Sequence, residues 1–555
     1  MFIRVNRQKQ GKKEYRHLQI AESYRDPEKG NSPRTRILAY LGTVEGLGEE
    51  QIEKLIAGLK RSIGQDAGKD PLGEMFIGRD FGHVYAVSEI WKTLGLSEIL
   101  SRLDIDGVAS FPVAELIKLM VVNRVCDPCS KLALLEWLDT VCFPGFEKKP
   151  SYHHLLRAMD RLMAIKEKAE PLIAKKFLSM FDSPVDLVFY DITSTYFTGD
   201  ASLEDGDIRR FGYSRDGRFD KRQVTLGVVM TRDGIPLCHH VFPGNTVDKT
   251  TVTEVVKDLK ERFHIGRVIF VADRGMFSDL NLEVLLNEEL GFIVAHPLRR
   301  SAIAREVITQ IGKRFDRNAV KEQFADEMRT SVRFVLAFSP KIAAEVKEGR
   351  TRRLHQADSF IRESLSRLAH PASRGRKPTP QGTYDKIRDY LRDKNLLSFY
   401  TMEIQGDEVL VASNKEARKL EETIDGMLLL ETTDLQSPAA EIVRRYKELA
   451  EIERGFRTLK SALKLRPVFH WTHDRIKAHI FLCVLALQIE RLMRHRLRSV
   501  SVRRAIDRLR QIKVGVMKFD DVSTKALRAA TEEQQNLFKF LEIAAPRATS
   551  QAKNV

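Results

Sequence analysis

Apolar positions change rhythm several times along the 555 residues. Near the start they fall in three short runs, IRVNR, YRHLQIAESYR and RTRILAYLG, parted by the turn-forming DPEKGNSP. Strands are expected there, followed by a short helix over 48–63 and a polar linker, DAGKDPLG, giving a small basic β-rich module over 1–75. Over 76–181 the apolar residues recur at three- and four-residue steps in VYAVSEIWKTLG, VAELIKLMVVNRV, KLALLEWLDTV and YHHLLRAMDRLMAIKEKAEPLIAKKFLSMF, the period of helices with one buried face. At 185–192, VDLVFYDI, both alternating positions are apolar, as in a strand covered on two sides. A hairpin (223–242), a helix (248–263), a strand (267–272), a helix (278–289) and a strand (291–296) follow, which predicts a mixed α/β sheet. Residues 298–430 hold the strand candidates VRFVLAFS, SFYTMEI, EVLVASN and MLLLETT around a basic middle, HPASRGRKPTPQGTY, and read as a β-rich insertion domain. Helical rhythm returns over 431–499, and 500–555 reads as a basic helical region fraying into a polar tail, PRATSQAKNV.

Three carboxylates stand out against this pattern. In YKELAEIERGFRTLK, Tyr446, Glu453 and Lys460 are spaced by sevens, so one continuous helix would stack them in a stripe. Leu449, Ile452 and Phe456 would press that helix onto a core. A solvated ion-pair stripe has the same spacing. Asp191 interrupts its apolar run near the far end, and Asp273 directly follows RVIFVA. Strand tips are where open sheets expose their chemistry, although single aspartates there also cap helices or start turns. Three acids from two strands and a helix would supply the oxygen ligands that hard divalent cations need, and two such cations suit phosphodiester chemistry.

These passages resemble the DDE transposases of bacterial insertion sequences, in the IS-four-like group whose catalytic core is ribonuclease H-like. VFYDITSTYF places Asp191 at the family's first Asp, and VIFVADRGM places Asp273 at the second. The hairpin QVTLGVVMTRDGIPLCHHVFPGNTVDKTT carries the Gly-Asn-x-x-Asp turn at Gly244, Asn245 and Asp248. The Tyr-x2-Arg-x3-Glu-x6-Lys signature falls on Tyr446, Glu453 and Lys460, and RPVFH and RIKAHIFLCVLAL continue the likeness to about Leu497. The resemblance implies a ribonuclease H-like core in two parts, 182–297 and 431–499, separated by the insertion. It implies Asp191, Asp273 and Glu453 as catalytic residues and metal ligands for two Mg²⁺, with Mn²⁺ able to substitute. Tyr446, Arg457 and Lys460 would contact DNA. The implied substrates are double-stranded DNA, namely the element's terminal inverted repeats and a target, held by a homodimer. The chain departs from the signature at Leu449, where the Arg should stand; Arg454 and Arg457 are the nearby guanidinium groups. Trp91, Trp137 and Trp471 are its only tryptophans, so none lies between Asp273 and Glu453, where some branches of the family carry a base-stacking one. A ribonuclease H-like nuclease without strand transfer, or an inactive transposase-derived DNA-binding protein, are the alternatives.

Composition fits this reading. The net charge of +16 favours a polyanionic partner. Its cations cluster at Arg4, Arg7, Lys9, Lys12, Lys13 and Arg16, and again from Arg350 through Arg352, Arg353, Arg362, Arg367, Arg374 and Arg376 to Lys377. Mean hydropathy is −0.29 and no apolar run approaches the length that crosses a bilayer, so a cytoplasmic, nucleoid-associated protein is expected. Five cysteines without regular pairing fit a reducing compartment. Cys126 and Cys129 form a lone CxxC that reads better as a turn into a helix starting near Ser130, and Cys238-His239-His240 reads as hairpin strand rather than a zinc site.

Overall fold

The computed structural model describes residues 2–10, 13–26, 32–43, 53, 56, 74–103, 112–145, 148–181, 187–198, 206–214, 217–247, 250–263, 269–273, 279–299, 301–371, 377–519, 522–527, 529–546 and 552–554. The chain forms two compact units, Met1–Ile265 with Ala450–Val555, and Gly266–Leu449.

In the first unit, β1 (Phe2–Gln10), β2 (Lys13–Asp26) and β3 (Ser32–Thr43) make the expected N-terminal strands, an antiparallel sheet in that order with Leu18 and Ala21 buried. Apart from residues 53 and 56, the helix expected at 48–63 lies outside the described residues, as does the linker after it. After β4 (Glu74–Asp80) come α1 (Gly82–Thr93), α2 (Leu96–Leu103), α3 (Val113–Cys126), α4 (Lys131–Thr140) and α5 (Tyr152–Leu178). Two starts are set by serine caps: Ser130 Oγ accepts from Ala133 N at 3.1 Å, and Ser151 with His154 forms a capping box on α5. The CxxC is structural. Cys126 donates to His83 O and Cys129 to Asn123 Oδ1, and burial pushes the Cys126 thiol up, away from thiolate.

The chain then lays down β5 (Leu187–Tyr196), β6 (Gln223–Thr231) and β7 (Pro236–Pro243), an antiparallel meander, and α6 (Val252–Glu261). Every residue of β6 is buried. A charged network fastens β7 to α5 and α6. Glu170 on α5 accepts from His239 Nδ1 at 2.5 Å and from the His239 amide at 3.0 Å, and pairs with Lys166 and Arg262. Arg262 also holds Asp258, which pairs with His240 at 3.0 Å. Cys238, His240 and Asp258 bring three ligand atoms within 4.8 Å of one another. Arg262 and His240 already balance Asp258 there, so the cluster needs no cation.

This network sets a pH dependence. Burial pushes His239 down to about 4 from its ordinary 6.5, against the pull of Glu170. Its proton therefore sits on Nδ1, and Nε2 is buried without a partner. The unfolded chain binds a proton that the folded chain refuses, so this contribution is lost as pH falls from 6.5 toward 4. His240 moves the other way. Burial opposes its charge, but Asp258, Cys238 and Glu254 raise it to about 11, so its contribution is complete below 6.5 and fades as pH rises above that. Urea midpoints of the full chain should fall on both sides of neutrality, and His239→Gln should flatten the acid limb. An acid limb unchanged by that substitution would remove His239 from the account.

The second unit opens with β8 (Ile269–Asp273), α7 (Asp279–Asn287) and β9 (Gly291–Ala295), with β8 and β9 parallel. It continues through α8 (Ala302–Ile311), β10 (Gln323–Met328), β11 (Arg333–Phe338), α9 (Pro340–Ala369) and α10 (Pro380–Asp393). β12 (Tyr400–Gln405), β13 (Glu408–Ser413), α11 (Lys415–Ile424), β14 (Met427–Thr432) and α12 (Ala439–Lys447) complete it. Within this unit the strand order is β10-β11-β14-β9-β8, and β12–β13 is a separate hairpin. The four strand candidates of the insertion fall on β11, β12, β13 and β14. The segment is nevertheless mixed rather than simply β-rich, because α9 and α10 are long helices. α9 escapes an apolar reading since it buries only a narrow stripe, Ala357 and Ile361 among them. One core packs Val307, Ile311, Phe334, Phe338 and Leu429; a second packs Ala357, Ile361, Ile387, Leu391 and Phe399. Arg350, the first cation of the second basic run, is buried and paired with Asp425 through two bonds of 2.6 Å. Arg367 pairs with Glu363, while Arg374 and Arg376 lie outside the described residues.

The chain returns to the first unit with α13 (Ala450–Lys460), α14 (His473–Leu497), α15 (Val502–Arg510), β15 (Lys513–Phe519), β16 (Val522–Leu527), α16 (Glu532–Phe540) and β17 (Ala552–Asn554). The C-terminal region is thus not helical throughout: β15 pairs with β4 and β16, and β16 with β17. α14 is buried on nearly all sides, packed with α3 and α5. None of the described helices is long and apolar enough to cross a membrane.

Candidate active site

Asp191 lies within β5, not near its end. The strand continues through Ile192-Thr193-Ser194-Thr195-Tyr196, burying the three hydroxyl residues. Asp191 is the one residue among the first nine of β5 that is not fully buried, and its Oδ1 accepts from the Ile192 amide at 2.7 Å. It stands opposite Val228 of β6, two positions along from the Phe189–Met230 pair. Directly opposed residues and every second residue along a strand share a sheet face. Phe189, Met230 and Asp191 therefore point to the same side.

That side is covered by α13, which packs on β5. Ile452, Gly455, Phe456 and Leu459 form its buried stripe. Gly455 permits the close approach: a Cβ there would lie 2.9 Å from Met230 Cε and 3.3 Å from Arg491 Nη2. Glu453, Arg457 and Lys460, at i, i+4 and i+7, share one flank beside the stripe. The two acids of the first turn differ in their partners. Glu451 pairs with Arg454 and lies 3.5 Å from Arg491 Nη1, whereas Glu453 is exposed and, among the described residues, has no hydrogen bond or ion pair.

The single helix expected from Tyr446 to Lys460 is two helices. α12 ends at Lys447, and Glu448 and Leu449 form a turn before α13 begins. The Glu448 amide is shared between the carbonyls of Arg444 and Arg445, and the Leu449 amide reaches Tyr446 O at 3.0 Å, so the ladder tightens to i−3 bonds and stops. Tyr446 therefore belongs to the second unit, and Glu453 and Lys460 to the first. Asp273 is the last residue of β8, in register with Ala295; its side chain lies outside what is described.

Of the guanidinium groups considered for the signature Arg, Arg454 is taken by Glu451, while Arg457 is exposed. Arg491, which sequence reasoning passed over, lies buried beneath α13 and hydrogen-bonds Glu451 O at 3.3 Å. Burial lowers its pKa against the pull of Glu490. Trp471 is half exposed and carries the Arg209 guanidinium 5.1 Å from its ring, whereas Trp91 is fully buried. Gly244 and Asn245 sit just after β7, and Asp248 lies outside the described residues. Arg4 and Arg7 are exposed on β1.

Residues 191–489, more than half of the chain and spanning β5 to α14, match the transposase DDE domain. The chain belongs to the DDE transposase family. Residues 3–69 match the N-terminal domain of IS1634 family transposases, which makes it an insertion-sequence enzyme. No curated protein matches it. A cryo-EM structure of the piggyBac transposase synaptic complex with hairpin DNA is similar over 79% of this chain and 82% of that chain, at 9% identity and a TM-score of 0.38. Membership of the family implies DNA as substrate and a divalent metal as cofactor. The donors fit such an ion: carboxylate oxygens are the ligands that hard cations favour, and the Glu453 carboxylate is unclaimed by any described cation.

Proposed function

We propose that this transposase cuts DNA at the terminal inverted repeats of its own insertion sequence and joins the freed 3′ ends to target DNA, through Asp191, Asp273 and Glu453. The observation that carries the reading is that Asp191 and the unclaimed Glu453 belong to a strand and to the helix covering the same face of that strand. Asp273, closing its own strand, is assigned as the third acid, and the strands of both units are read as a ribonuclease H-like core. The three carboxylates would hold two Mg²⁺ ions, which Mn²⁺ can replace; bound there, the ions would lower the pKa of a water and stabilise the leaving 3′ oxygen.

The chain's own groups do the rest. The carboxylates gather negative charge that only cations relieve, so the site is made for a metal-bridged phosphate rather than for a bare one. Lys460 and Arg457, on the same flank as Glu453, place positive charge where phosphates beside the scissile bond must lie. Tyr446, on α12, positions the transferred strand. In cleavage a water oxygen bonds to phosphorus, the phosphorus–O3′ bond breaks, and the departing oxygen takes a proton. In joining, the oxygen of that 3′-hydroxyl bonds to a target phosphorus as the bond from that phosphorus to its own O3′ breaks; the attacking hydroxyl gives up its proton and the departing oxygen takes one. Two protomers holding two ends make a homodimer on DNA, acting at the nucleoid.

The test is incubation of purified protein with a labelled element end, target DNA and Mg²⁺. Nicking at the end followed by a joined product supports the reading. Nicking without joining leaves a nuclease, and no Mg²⁺-dependent nicking overturns the proposal.

A further inference from the structure

Within the first unit, a cavity of about 530 Å³ opens between the start of α4 and the 464–470 loop that links α13 to α14. Its size is that of a small-ligand site, for which about 300–1,000 Å³ is typical. Arg124, Lys131, Lys464 and Arg466 line it, and no carboxylate does. Lys131 is 4% exposed and, among the described residues, makes no hydrogen bond or ion pair. Arg124 is equally buried, and its forked end is spent on the carbonyls of Cys129, Leu463 and Lys464 at 3.1 to 3.4 Å, while its Nε has no acceptor. The nearby acids are engaged: Asp127 by Arg510 and Trp137, and Asp160 by Arg475.

Two buried cations side by side without a counter-charge are expensive to fold around, unless something anionic enters. Burial, with the Arg124 charge adding to it, pushes Lys131 down to about 7. Lys131 is also the first residue of α4, just after the Ser130 cap, where the helix end itself favours an anion. Tyr152 and Phe469 stand at the same cavity, 37% and 58% exposed, offering aromatic faces to a flat group outside. The wall at Lys464 begins four residues beyond Lys460, so a strand held at the flank of α13 continues naturally into it.

We propose that this cavity binds a phosphate group of a nucleic-acid strand, with Lys131 as its buried cation and a neighbouring base against Phe469 and Tyr152. The assignment to a nucleic acid rests on the proposed function; the assignment to a phosphate does not.

The experiment compares the full-length chain with Lys131→Met, which keeps the length of the side chain and removes a buried, unpaired charge. Inorganic phosphate and thymidine 5′-monophosphate are titrated at constant ionic strength while thermal melting is followed. Binding of a labelled element end is measured over a range of salt. Phosphate should raise the melting temperature of the wild type and not of K131M. K131M should bind the DNA about tenfold more weakly, with the slope of log K against log salt smaller by roughly 0.7–0.9, one phosphate contact. Weaker DNA binding by K131M, with neither protein responding to inorganic phosphate, also supports the proposal. Loss of the phosphate response with DNA binding intact overturns the nucleic-acid assignment, and K131M behaving as wild type in both overturns the whole inference. A wild type that nicks DNA while K131M changes nothing leaves the proposed function standing; a wild type that binds no DNA removes it.

Discussion

Glu453→Gln should reduce Mg²⁺-dependent nicking of an element end by at least about a thousandfold while leaving end binding within a few-fold of wild type. The asymmetry follows from where Glu453 sits. It is exposed on α13, outside the stripe of Ile452, Gly455, Phe456 and Leu459 that packs the helix, so an amide of equal size costs the fold almost nothing. What it removes is a formal charge and one of the two carboxylate oxygens that the proposed metal site would use. Glu451→Gln is the control. That acid already satisfies Arg454 and Arg491, so its loss should lower the melting temperature modestly and leave the chemistry intact. Equal activity losses for the two variants would mean that α13 acts through its fold and not through Glu453.

The second large effect is expected at Gly244. Three backbones meet there: the loop around 207–213, the start of β6 and the end of β7. The Gly244 amide donates to Ile208 O at 3.0 Å, and its carbonyl accepts from Gln223 Nε2 at 3.0 Å. A Cβ would stand 2.1 Å from Gln223 O and 2.5 Å from Arg210 O, both main-chain atoms that no rotamer change can move. Gly244→Ala should therefore cost about 3 kcal/mol, enough to lower the melting temperature of a unit this large by about 4 °C. Gly349→Ala, in α9 where a Cβ meets nothing, should leave stability unchanged or raise it slightly. A melting temperature for Gly244→Ala within about 1 °C of wild type would show that the junction yields.

Much of the first unit's framework was legible because its signals are apolar and continuous. The run before Asp191, the hairpin of β6 and β7, and α14 could hardly be anything but buried. Asp191 is visible as a charge that interrupts such a run. The strand runs on beyond the apolar segment because Thr193, Ser194 and Thr195, polar in sequence, are buried within the sheet. The break between α12 and α13 left no mark, since Glu448 and Leu449 are ordinary helix formers and the interruption lies in backbone hydrogen bonding. α9 carries little apolar signal for the opposite reason: its buried stripe is narrow and its surface charged. Arg491, Arg350 and Lys131 share a further blind spot. A cation in a helix reads as solvent-facing, and only packing reveals that it is buried beside a carboxylate, a carbonyl or an open cavity.

The most direct measurement is anomalous scattering from Mn²⁺ in crystals of the protein bound to a pre-cleaved element end. Two peaks should appear, with oxygens of Asp191, Asp273 and Glu453 at about 2.0–2.2 Å from one or both of them. Peaks lying elsewhere, or any of the three carboxylates more than about 8 Å from both ions, would contradict the shared metal site.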